Sequence, residues 1–173
     1  MMTVMMSSMN GKFKRHNPMS LMNQSQQARV PFSAAFVALF LAGCGGATMM
    51  NLTMNADTNK LNTCGGTDSH SVVVCVYQLK GDVNFRNASN EKFWRDDTGV
   101  LKDDLLEKKQ VTLHPGDSQP VRLELKEATK YIGIAADFCK PGKENWRHLY
   151  SLSSGNGDLV VSVRDDKLAI EKK

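Results

Sequence analysis

Nine consecutive residues, Ser71 to Leu79 (SVVVCVYQL), leave this chain few ways to fold. β-Branched and aromatic side chains follow one another with no helical spacing, so the run reads as a central strand covered on both faces. A strand of that kind needs neighbours on each side, and the rest of the chain offers them. Met50, Leu52, Met54 and Ala56 alternate with Asn51, Thr53 and Asn55, the period of a first strand buried on one face. Lys109 to Leu113 and Pro120 to Leu125 flank the turn His114-Pro115-Gly116-Asp117, in which proline fixes φ and glycine accepts positive φ. Tyr131 to Phe138 sets Ile132, Ile134, Ala136 and Phe138 on one face, while Gly133 and Ala135 leave the other face small enough for something bulky to pack there. Trp146 to Leu152 is a further strand, and Asp158 to Val163 with Lys167 to Ile170 form a terminal hairpin around Arg164-Asp165-Asp166.

Two stretches interrupt this pattern. Asp57 to His70 lacks periodicity and is rich in Asn, Thr, Gly, Ser and Asp, which predicts an exposed loop longer than most connections. Gly81 to Leu106 carries Phe85, Phe93 and Trp94 among polar residues, with Val100, Leu101, Leu105 and Leu106 at short-helix spacings. It predicts a partly helical insertion packed on the sheet, with Phe93-Trp94 as its hydrophobic plug. The fold expected is all-β, a two-sheet β-sandwich of about seven or eight strands with a small helical insertion.

Ahead of the domain, Leu41-Ala42-Gly43-Cys44 closes an apolar run from Val30 that is too short for a bilayer-spanning helix, which needs about 20 residues. Lys12, Lys14, Arg15 and Arg29 precede it and no acidic residue does. Residues 1–43 therefore read as a lipoprotein signal peptide whose true start is one of several methionines, with Cys44 as the lipidated residue. Residues 44–48 form a short tether and residues 49–173 a single exported domain. Gly45, rather than an aspartate, follows Cys44, which points to the outer membrane. Processing leaves about 130 residues, enough for one core. The formal charge of +4 comes entirely from the four basic residues of the leader, since the remainder balances 18 acidic residues. A neutral mature domain gives no argument for nucleic acid.

Lipidation of Cys44 leaves Cys64, Cys75 and Cys139 in an oxidising compartment. One disulfide and one buried thiol are expected, with Cys64–Cys139 favoured by the pliable Gly-rich surroundings of Cys64 and three reduced thiols as the alternative. No nucleophile with a base, phosphate loop, metal-ligand spacing or cofactor motif is present, so an enzyme is not expected. Asp96-Asp97, Asp103-Asp104 and Asp165-Asp166 read as solvated charge, and His148 as an ordinary strand residue.

Four segments in order behind the lipobox resemble the TssJ (SciN-like) outer-membrane lipoproteins of type VI secretion systems: VVVCVYQLK at Val72 to Lys80, LHPGDS at Leu113 to Ser118, YIGIAADF at Tyr131 to Phe138, and Trp146-Arg147. The resemblance implies a transthyretin-like sandwich held at the inner leaflet of the outer membrane by acyl chains on Cys44. It also implies binding to the periplasmic C-terminal region of TssM, with TssL in the same complex. The loop between the first two strands carries that contact in the family, which here places Asp57, Asn59, Leu61, Asn62, Thr63, Thr67, Asp68 and His70 at the interface. Cys75 and Cys139 depart from the family, so the resemblance does not support the disulfide. The competing reading is a ligand-binding or inhibitor lipoprotein with a pocket near Tyr131, Trp146 and Tyr150.

Overall fold

Alternation along the first strand does build a half-buried edge of the core. In the computed structural model, which describes residues 47–155 and 157–173, Met50, Leu52 and Met54 are buried and Asn51 is exposed. Cys44 and the leader lie outside the described residues. The strands are β1 (Met49–Leu61), β2 (Val72–Leu79), β3 (Leu105–Leu113), β4 (Ser118–Glu124), β5 (Tyr131–Ala136), β6 (Arg147–Ser151), β7 (Leu159–Asp165) and β8 (Lys167–Lys172). They form two four-stranded sheets in the orders β4-β1-β7-β8 and β3-β2-β5-β6. All pairings are antiparallel except β1 with β7, which are parallel with Leu52 opposite Leu159.

Strand β2 lies between β3 and β5, and every residue from Val74 to Leu79 is buried. Val72, Val74 and Val76 share one face with the inward residues of β5, and the sheets close on Leu52, Met54, Val161 and Val163. The opposite face carries Tyr77 and Leu79. It is covered by the insertion, which forms α1 (Val83–Asn87), α2 (Asn90–Arg95), α3 (Asp97–Leu101) and a short 3-10 turn. Phe85 and Phe93 meet Tyr77 with ring centroids 6.0 and 5.4 Å away, and Trp146 lies 5.3 Å from Phe93. The bulky neighbour expected over Gly133 is Phe85: a Cβ at Gly133 would stand 2.8 Å from the Phe85 ring.

Strand ends shift from the sequence reading by one or more residues at several places, and three of the shifts have a clear cause. β3 begins at Leu105, four residues early, because Glu107 to Lys109 pair with β2 despite their charge. β6 starts after Trp146, whose side chain is spent on the aromatic cluster. β1 runs on to Leu61, so Asp57 to Leu61 is strand and not loop. A bulge between Ala56 and Leu61 makes this extension feasible. The Asp57 carboxylate accepts the main-chain N–H groups of Asn59 (2.9 Å) and Lys60 (2.8 Å), which the ladder leaves free there. Those two N–H groups hold the Asp57 carboxyl below its ordinary range.

The long β1 also defines two poles. Because the bulge sets nine steps of β1 beside six of β7, its two ends stand about 30 Å apart at roughly 3.3 Å per paired step. The pole at its start gathers Thr48, the β4–β5 connection and the end of β8, with Leu125 N–H donating to Thr48 C=O at 2.8 Å. The pole at its end gathers the β1–β2 loop, the β3–β4 turn, the segment after β5 and the β7–β8 turn. Among the described residues no helix is long and apolar enough to cross a membrane.

Candidate partner-binding surface

Leu61 and Asn62 end β1 by turning inward, and this makes the loop after them a held structure. Leu61 is fully buried and Asn62 is 8% exposed. Leu61 is therefore out of a partner's reach, which corrects the expectation for it, whereas Asn62 shows only the edge that lines the cleft described below. Asn62 adopts φ 47°, a left-handed conformation that asparagine tolerates. Its side chain works as a post: Nδ2 donates to Ser71 C=O at 3.0 Å and Oδ1 accepts from Cys139 N–H at 2.9 Å. Its own N–H donates to Asp165 C=O at 2.8 Å.

The loop proper is therefore residues 63–71, shorter than the 14 residues read from composition. Thr63 is half-buried and its hydroxyl donates to Asp165 Oδ1 at 2.7 Å. Ser69 Oγ accepts from Leu61 N–H at 3.1 Å, and His70 N–H donates to Leu61 C=O at 2.8 Å. Ser71 Oγ lies 2.7 Å from His114 Nδ1, which ties the loop to the β3–β4 turn. Cys64 and Cys139 form a disulfide with their Cα atoms 5.3 Å apart, and both residues are exposed. Cys75 is buried and free, and burial pushes its thiol up.

Of the residues placed at the interface by sequence, Thr67, Asp68 and His70 stand exposed at this pole. Asn59 is exposed in the β1 bulge and Asp57 is half-buried beside it, where its carboxylate lies 3.4 Å from Arg164 Nε. Sequence reasoning missed the residues that complete the surface. Lys140 lies against Gly65, and together with Asn62 to Gly66, Asp165 and Asp166 it lines a cleft of ≈ 310 Å³. A second hollow of ≈ 450 Å³ on the outer face of the first sheet is lined by Lys60, Arg164 and Lys167 among others. By local pattern Asp165 and Asp166 read as a hairpin turn and solvated charge. Nothing in their local pattern says that Thr63 lies beside them, because the two are 102 residues apart.

Two of the three residues expected to line a ligand pocket, Trp146 and Tyr150, are engaged in the fold itself. Trp146 is buried against Phe93, and Tyr150 donates its hydroxyl to Gly155 C=O at 2.8 Å. Arg147 beside it holds structure: its guanidinium donates to the carbonyls of Phe85, Arg86 and Ala88 and stacks 4.7 Å over the Trp146 ring.

No curated protein matches the sequence. Solved structures do. The T6SS lipoprotein TssJ1 from Pseudomonas aeruginosa superposes with a TM-score of 0.67 at 21% identity, over 74% of this chain and 98% of that one. A chain of a structure described as a type VI membrane complex gives 0.66 at 28% identity, over 73% and 99%. A chain of a structure described as the T6SS protein TssM C-terminal domain from EAEC gives 0.61 at 26% identity, over 72% and 98%. The T6SS-SciN family model, described as type VI secretion lipoprotein, VasD, EvfM and TssJ, matches residues 48–171, nearly the whole described domain. With the two four-stranded sheets and the helical cover in place, this chain belongs to the type VI secretion lipoprotein family that includes TssJ.

Proposed function

We propose that this lipoprotein anchors a type VI secretion membrane complex at the outer membrane, binding the periplasmic C-terminal region of TssM through the pole at the end of β1. The acyl chains on Cys44 hold the domain in the inner leaflet, and TssL completes the assembly. The observation that carries the reading is the placement of the two ends of β1. Thr48, four residues after Cys44, lies at one pole and the 63–71 loop at the other, about 30 Å away. A domain tethered at its first pole presents the second to the periplasm. Four tether residues reach at most about 14 Å, so the first pole stays close to the bilayer. The similarity to chains in structures described as a type VI membrane complex and as the TssM C-terminal domain supports the choice of partner.

Stable membrane attachment needs more than one acyl chain, which a diacylated cysteine provides. Cys44→Ser is expected to release the protein into the soluble periplasmic fraction. A variant that stays in membranes removes the lipid anchor from the reading. Replacing residues 65–69 by a two-glycine link, with the fold checked by circular dichroism, is expected to abolish co-purification with the TssM periplasmic region. Undiminished co-purification would exclude the loop from the contact.

A further inference from the structure

The Cys64–Cys139 bridge joins two exposed segments that lie 75 residues apart in sequence, the β1–β2 loop and the stretch after β5. A second link between them is the hydrogen bond from Cys139 N–H to Asn62 Oδ1. Around the bridge the backbone is left-handed at three of four residues, with φ 47° at Asn62, 57° at Cys64 and 81° at Gly65. Asparagine and glycine accept that conformation, whereas a cysteine has no local reason to adopt it. Cys64 holds it while its sulfur is fixed to Cys139. Lys140, the residue after the bridge, lies over Gly65 and lines the same cleft as Asp165 and Asp166. Both bridged cysteines are on the surface, and the core residues beside them, Leu61 and Phe138, are buried on their own account.

We propose that the partner-binding surface is a composite of the 63–71 loop, Lys140 and the Asp165-Asp166 turn, made continuous by the Cys64–Cys139 bridge, and that reduction of the bridge weakens partner binding. The proposal rests on the reading that this pole binds the periplasmic region of TssM. A dithiol reductant supplies two electrons and two protons and becomes a disulfide. The Cys64–Cys139 S–S bond breaks and two thiols form. Cys64 then leaves its left-handed conformation, the loop parts from Lys140, and binding has to order both segments again. Exposure of both cysteines makes the bridge accessible to such a reductant, while Cys75 is buried and out of reach of exchange.

The test uses the acylated chain in detergent, titrated with the TssM periplasmic region before and after dithiothreitol, with thiols counted and near-ultraviolet circular dichroism recorded. Affinity is expected to fall at least tenfold on reduction and to return on reoxidation. The unreduced Cys64→Ser/Cys139→Ser variant is expected to bind as weakly as the reduced chain and to ignore dithiothreitol. Lys140→Glu, with the bridge intact, is expected to weaken binding as well. Equal affinity of the folded oxidised and reduced chains overturns the proposal. Should the reduced chain unfold, unchanged affinity of Lys140→Glu overturns it. No binding by the natively folded oxidised chain overturns both the proposal and the TssM reading, which separates the two failures.

Discussion

Arg147 donates from Nη1 to the main-chain carbonyl of Phe85 at 2.7 Å, so that strand β6 closes the C-terminal end of helix α1. The same guanidinium reaches the carbonyls of Arg86 and Ala88, and its side chain is only 10% exposed. A five-residue helix cannot hold itself in water. Its unpaired carbonyls and one nearly buried charge satisfy each other instead. The pairing with Glu144, which is 79% exposed, adds little.

Arg147→Lys keeps the charge but has no planar fork to span three carbonyls. It is expected to lower unfolding free energy by about 1.5 to 3 kcal/mol, the range for hydrogen bonds to a charged group. Urea denaturation of the purified domain measures this, and a loss below about 0.5 kcal/mol would reduce Arg147 to an ordinary surface residue.

Gly133→Ala places a methyl group 2.8 Å from Phe85 Cε2 and 3.1 Å from Leu79 Cδ1, in a face with no spare room. Overpacking of that kind costs about 1 to 3 kcal/mol. In a double-mutant cycle with Phe85→Leu, the cost of the alanine is expected to shrink, because the smaller side chain vacates the space the methyl group needs. Strict additivity would place the clash elsewhere.

Asp97 accepts the Tyr77 hydroxyl at 2.7 Å and pairs with Lys108 Nζ. Burial acts to raise its carboxyl, but the hydrogen bonds from Lys108 and Tyr77 prevail and hold it below the usual range. Burial and the bond to Asp97 push the Tyr77 phenol far up, so it stays a donor. A carboxyl with a lowered folded pKa contributes stability that is complete above its unfolded value, about 3.9, and is lost as pH falls through the folded value. Asp97→Asn is expected to cost about 1 to 3 kcal/mol at pH 7. The gap to the parent protein should close below about pH 4, as read from denaturation midpoints across pH.

Gln78 is the buried polar residue of β2, 1% exposed, and it satisfies both ends of its amide. Nε2 donates to Glu107 Oε2 and Glu124 C=O, while Oε1 accepts from Lys126 N–H and Thr129 Oγ1. Gln78→Leu strands the Lys126 N–H and the Glu124 carbonyl beside the core. Its cost is expected to be about 1 to 3 kcal/mol, with faster amide exchange confined to the β4–β5 connection.

Local pattern was enough to find every strand, because side-chain alternation reports which face of a strand is buried. The helical insertion and the space over Gly133 were legible for the same reason, as unbalanced residue sizes on a known face. The end of β1 was not legible. Thr58, Asn59 and Lys60 are polar and carry no period, and they stay in the sheet because a bulge stabilised by Asp57 keeps them alongside β7. Most of the candidate surface was hidden as well. Thr67, Asp68 and His70 stood out by composition, but Lys140, Asp165 and Asp166 join them only through contacts between distant segments.

The sequence by itself determined the strands, the buried faces, the sandwich, and the membership signalled by the ordered segments of β2, the His114–Asp117 turn and β5. Tertiary structure decided the order of strands, including the parallel pairing of β1 with β7, the three-carbonyl duty of Arg147, and the burial of Leu61 and Asn62. The division has one physical cause. Periodicity encodes how a residue faces the core over a few neighbours, whereas strand order, capping and loop anchoring depend on which distant segment arrives alongside, and that is fixed only when the whole core closes.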